Sequence, residues 1–96
     1  MVEVVSTPTF VGCLEVLADV TARSRITKRI ARFEVGPFGD AKSIGGGVSE
    51  MRVDHGPGYR VYFTRRGAEV VILLCGGDKG SRARDIARAQ SMVIEM

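Results

Sequence analysis

The stretch GVSEMRVDHGPGYRVYF, residues 47–63, leaves the chain few choices of fold. Two alternating runs, Val48 to Asp54 and Tyr59 to Thr64, flank a short turn containing Gly and Pro. Alternation with that punctuation is the pattern of an antiparallel hairpin. Side chains two apart share a face of a strand. Met51 and Val53 therefore point with Tyr59, Val61 and Phe63 to one side, and Glu50, Arg52 and Asp54 point with Arg60, Tyr62 and Thr64 to the other. The apolar set must meet the rest of the protein, because a slip of one residue would bury the arginines. Pro57-Gly58 suits the central positions of a type II turn, the second of which takes positive φ.

The remaining chain supplies the cover. Val2 to Val5 reads as a short strand. Pro8 suits a first helical turn with Ser6 or Thr7 as its cap, and Phe10, Leu14, Leu17 and Ala18 follow at helical spacing. A second helix, entered near Asp19 and Thr21, carries Ala22, Ile26, Ile30 and Phe33 on its apolar stripe and stops at Gly36-Pro37. Gly36 to Gly47 reads as a loop. Arg66-Gly67 marks a turn before a third strand of the sheet, Glu69 to Cys75. The run GGDKGS then leads into a last helix with Ala83, Ile86, Ala87, Gln90 and Val93 inward. The order β-α-α-β-β-β-α predicts one α+β domain over residues 1–96. Its sheet is mainly antiparallel, with helices on one side and the other side open.

Charge narrows the partners. The chain has 96 residues and a formal net charge of +3, but its basic residues are grouped. Arg23, Arg25, Lys28, Arg29 and Arg32 lie mostly opposite the apolar stripe of the second helix, Arg82, Arg84 and Arg88 fall in the last one, and Arg65 and Arg66 border a turn. Any one group is well explained as a solvated face; together they favour a polyanionic partner. At 45% hydrophobic and 26% charged residues the composition is globular rather than disordered. The longest apolar run, Val70 to Cys75, is far too short to span a bilayer. MVEVVSTPTF lacks the basic and then apolar order of a secretory signal. The expectation is a cytoplasmic protein with no membrane partner. Cys13 and Cys75 have no metal-ligand spacing and read as reduced thiols, and no cofactor is expected.

The polar side of the hairpin is the candidate site. Glu50, Arg52, Arg60 and Tyr62 share it. A solvated sheet with a Glu50–Arg60 or Glu50–Arg52 ion pair explains these residues at little energetic gain. Two features argue for chemistry. His55, the one histidine, sits beside this face and titrates near neutrality in its ordinary state. Lys79 lies in a Gly-rich turn that opens a helix, where backbone N–H groups attract anions. GGDKGS does not match the Walker A pattern, so a nucleotide P-loop is not supported.

These residues carry a resemblance. GVSEMRVDHGPGYRVYF followed by VVILLCGGDKGSRARDIARA resembles the RelE/ParE superfamily of bacterial toxins, and within it the HigB-like addiction-module killer proteins. ARSRITKRIARFEVGPFGDAKSIGGGVSEMR extends the likeness over nearly the whole chain. The resemblance implies a type II toxin–antitoxin system and a ribosome-dependent mRNA endoribonuclease. A cognate antitoxin, here expected to contain a helix-turn-helix, would hold the toxin inactive. It places the basic site residues at Arg52, Arg60 and Lys79. Two positions depart from the pattern: Glu50 stands where RelE has a lysine, and ARDIARAQ lacks the tyrosine of the RelE C-terminal helix, leaving Tyr62 as its candidate substitute.

Metal-free RNA cleavage uses the neighbouring 2′-OH as nucleophile, and needs a base, phosphorane stabilisation and an acid. Arg52 and Arg60 suit stabilisation, Lys79 suits phosphate holding, Glu50 or His55 suits the base, and His55 suits the acid. Arg23, Arg25, Lys28, Arg29, Arg32, Arg82 and Arg84 would contact ribosomal RNA. Two alternatives remain: a ParE-like toxin that inhibits DNA gyrase by protein binding, and a non-catalytic nucleic-acid-binding module.

Overall fold

The computed structural model describes residues 2–34 and 41–96. It is an α+β structure with a five-stranded, mostly antiparallel sheet and three α-helices. Strand β1 (Glu3–Ser6) is followed by α1 (Pro8–Glu15) and α2 (Val20–Ala31). Then come β2 (Lys42–Gly45), β3 (Val48–Val53), β4 (Tyr59–Arg66), β5 (Val70–Asp78) and α3 (Arg82–Glu95). The sheet order is β1-β5-β4-β3-β2, with β1 parallel to β5 and every other pairing antiparallel.

The start signals act as expected from their chemistry. The Thr7 side chain accepts a hydrogen bond from the Phe10 N–H at 3.2 Å, and Pro8 opens α1, where its missing N–H costs nothing. The Thr7 hydroxyl also lies within hydrogen-bond distance of the Leu73 and Leu74 carbonyls, at 2.8 and 3.0 Å, which fastens α1 to β5. Asp19 caps α2 by accepting from the Ala22 N–H at 3.1 Å.

The hairpin divides its side chains as the alternation requires. Phe10, Ile26 and Phe33 pack with Met51, Val53, Val61, Phe63, Val71 and Leu73 into one core. The opposite face is not open. Helix α3 covers it, and Ala89, Ile86, Met92 and Val93 pack there with Val48, Tyr62, Leu74 and Cys75 into a second core. Strand β5 serves both cores. A bulge opposite Tyr62 and Phe63, with Leu74 as the extra residue, lets the consecutive residues Leu74 and Cys75 enter the same core while Leu73 faces the other. Burial on two faces accounts for the unbroken apolar run VVILLC.

Four further expectations change. Lys42–Gly45 is an edge strand rather than loop, because Gly45, Gly46 and Gly47 adopt positive φ and fold KSIG back on β3. The Gly36–Pro37 stop and the rest of that loop through Asp40 lie outside the described residues. Strand β5 continues through Gly76 and Gly77, which pair with Val61 and Arg60, so the Gly-rich run is strand before it is turn. The hairpin turn closes with the Gly58 N–H on the His55 carbonyl, so Gly56 and Pro57 rather than Pro57 and Gly58 are its central pair. Gly58 takes the expected positive φ, at +80°, and Gly56 adds a second at +56°. Helix α3 turns Asp85 and Ala89 inward and leaves Ala83 and Ala87 exposed.

Candidate functional site

Strands β3 and β4 set Glu50 opposite Tyr62 and Arg52 opposite Arg60. Helix α3 then lowers Arg82 onto Glu50: its Nε donates to Oε2 at 2.9 Å and its Nη2 to Oε1 at 3.4 Å. Arg60 Nε lies 3.5 Å from the same Oε2. Glu50 is 1% exposed, Tyr62 0% and Arg60 7%. A carboxylate this deep is tolerable only with charge partners, and here it has guanidinium groups from two elements. Glu50 is thus a buried counter-ion, held away from solvent, and not the open-face base expected from alternation. The hydrogen bond with Glu50 raises the Arg82 pKa above its ordinary value.

Tyr62 is equally enclosed. Burial, and then the charge of Glu50, push its phenol well above the ordinary tyrosine range, so the ring stays neutral. Its hydroxyl and Arg60 Nε have no hydrogen-bond partner among the described residues. Arg60 is oriented from its other end, where Nη1 donates to the Gly58 carbonyl at 3.1 Å.

Arg52 contrasts with these. Its side chain is exposed and makes no ion pair among the described residues, while its backbone carbonyl accepts from Arg29 of α2 at 3.1 Å. Arg52 and Arg60 line a notch of about 320 Å³ together with Lys42, Asp54, Gly58 and Tyr59. The notch brings two of the expected site residues together and adds two that the sequence reading missed. Lys42 lies in β2, a segment whose glycines suggest loop, and Asp54 shares the face of Arg52 as the alternation requires.

The other expected residues lie elsewhere. His55 Nε2 is 3.1 Å from Asp19 Oδ2, which ties the hairpin turn to the start of α2. Lys79 is exposed in a short 3-10 turn ahead of α3 and is not among the residues lining the notch. Arg23, Arg25, Lys28 and Arg32 are exposed on the α2 side of the sheet, whereas Arg82 and Arg84 belong to α3 on the opposite side. The basic groups therefore form two surfaces rather than one. No three His, Cys, Asp or Glu residues converge as a metal site among the described residues.

No family model matches the chain. It is 41% identical over 95 residues to an uncharacterized protein of Haemophilus influenzae strain Rd, a match covering 99% of this chain and 96% of that protein. The chain belongs to the family of that Haemophilus protein. Among the described residues no helix is long and apolar enough to cross a membrane.

Proposed function

We propose that the chain is a RelE/ParE-superfamily toxin of the HigB-like kind, acting as a metal-independent mRNA endoribonuclease on the ribosome. The observation that carries the reading is the facing pair Arg52 and Arg60, with Lys42 in the same notch. Glu50 offsets Arg60 on its buried side, while like charges directly opposite each other weaken a ladder on the notch side. A phosphate between them turns that liability into a binding site, since guanidinium groups engage phosphate oxygens in two-point fashion. The parallel β1 beside β5 and the antiparallel β2–β5 meander are read as the RelE-like arrangement.

In this mechanism the 2′-oxygen bonds to phosphorus and the bond to the 5′-oxygen breaks, leaving a 2′,3′-cyclic phosphate and a 5′-hydroxyl. Arg52 and Arg60 stabilise the extra negative charge of the phosphorane. Asp54 takes the 2′-OH proton, a task for which the buried Glu50 is badly placed, and Lys42 protonates the departing oxygen. Arg23, Arg25, Lys28, Arg32 and Arg84 contribute salt-sensitive contacts to ribosomal RNA. The cognate antitoxin offsets the same positive charge.

One observation favours the gyrase-directed alternative. Glu50 and Tyr62 are buried and His55 is engaged by Asp19, so part of the expected acid–base equipment faces no substrate. Toeprinting of translating ribosomes beside a gyrase supercoiling assay separates the readings. Ribosome-dependent cuts in mRNA with unchanged supercoiling support the nuclease; intact mRNA with blocked supercoiling supports the alternative.

A further inference from the structure

Arg60 and Tyr59 border a second hollow. A cavity of about 290 Å³ opens where α1 meets the ends of β4 and β5 and the first turns of α3, and both residues line it as well as the notch. The two spaces therefore adjoin across one pair of side chains. Leu14 and Leu17 give the cavity an apolar wall, Ser81 and the carboxylates of Asp78 and Asp85 line its end over Gly77, and Arg84 stands exposed on the α3 side. Its volume is near the ~300 Å³ lower end of small-molecule pockets, room for a ring system and little more. A slot with an apolar wall, an aromatic ring, guanidinium groups and carboxylates able to accept from the N–H groups of a base, set beside a cationic notch, matches the two halves of a nucleotide. Bases of single-stranded RNA stack on aromatic and guanidinium planes while cations hold the phosphates.

We infer that this cavity is a nucleobase subsite, which receives a base of single-stranded RNA whose phosphate lies in the Arg52–Arg60 notch. Its biological role rests on the nuclease reading; its binding chemistry is testable without it. The test is an amide NMR titration of the full chain with adenosine 5′-monophosphate, cytidine 5′-monophosphate and ribose 5-phosphate, which lacks the base. Ribose 5-phosphate should shift the Arg52 and Gly58 signals alone. The nucleotides should also shift Leu17 and Gly77 and bind at least about ten-fold more tightly. Leu17→Trp, which fills the slot, should remove that gain and keep the ribose phosphate response. Arg84→Glu, an exposed change with little bearing on folding, should weaken nucleotide binding by about five-fold or more. Nucleotide shifts confined to the notch, equal affinities with and without the base, or no binding of any probe would overturn the subsite. Messenger RNA cleavage on ribosomes is scored separately: cleavage without the nucleotide gain removes only the subsite, and the gain without cleavage removes only the nuclease reading.

Discussion

Gly77→Ala is the sharpest test of how α3 seats on the sheet. A Cβ at Gly77 would sit 2.0 Å from Asp85 Oδ2 and 2.6 Å from Ser81 Oγ, well inside contact distance. Asp85 is buried, and its Oδ2 accepts from the Ser81 hydroxyl at 2.5 Å. Relief requires the carboxylate to leave that partner or the helix start to move outward. Overpacking of a close-packed site costs about 1–3 kcal/mol, and loss of a buried hydrogen bond to a charged group adds about 1–3 kcal/mol. The substitution should therefore destabilise by about 2–4 kcal/mol, allowing for partial relaxation. Gly12→Ala is the internal control. Nothing lies within 4 Å of its added methyl in α1, and alanine is the better helix former by about 0.5–1 kcal/mol. Urea unfolding of both variants should move the midpoint in opposite directions. A Gly77→Ala midpoint equal to wild type would show that Asp85 and Ser81 do not press on the strand.

Four other outcomes are expected elsewhere in the molecule. Glu50→Ala should lose about 3 kcal/mol of stability, because it strands the buried Arg60 guanidinium without its counter-ion; Arg52→Ala, on an exposed side chain, should abolish growth inhibition at unchanged thermal midpoint. Asp19 has a lowered pKa, chiefly from the Ala22 N–H and also from His55. Its stabilisation is present above the unfolded carboxylate value of about 3.9 and is lost as pH falls through the lower folded value, so Asp19→Asn should flatten the acid limb of a pH series of urea midpoints. Burial pushes the Cys75 thiol up to about 12, so iodoacetamide at pH 8 should alkylate Cys13 in the folded protein and spare Cys75, as peptide mass spectrometry can show.

Local pattern carried the strands of the hairpin and the inner face of α2, because period-two and helical spacing express burial directly. Of the α1 stripe, Phe10 and Leu14 lie in the helix and face the core, whereas Leu17 and Ala18 fall beyond its end at Glu15 and Ala18 is exposed. It failed where a contact joins distant parts of the chain. Nothing near Glu50 marks Arg82 as its partner, and the inward face of α3 includes a buried aspartate that an apolar stripe passes over. The resulting error was large: a face read as open is covered, and Glu50 and Tyr62 move from a site to a core. Glycine misled in a different way. At Gly45 to Gly47 it does make a turn, and that turn creates β2 and delivers Lys42. At Gly77 it lies within a strand, where the need is space for Asp85 and Ser81. Of the expected site, Arg52 and Arg60 were legible because the ladder itself brings them together. Their neighbours Lys42 and Asp54 needed the third dimension.

On the proposed mechanism the Arg52–Arg60 notch drives cleavage by the neighbouring 2′-OH. End analysis of messenger RNA recovered from ribosomes treated with wild-type and Arg52→Ala protein tests it most directly. The expected result is 2′,3′-cyclic or 3′-phosphate ends paired with 5′-hydroxyl ends from the wild type, and no new ends from Arg52→Ala. New 5′-phosphate ends, or equal cutting by Arg52→Ala, would contradict it.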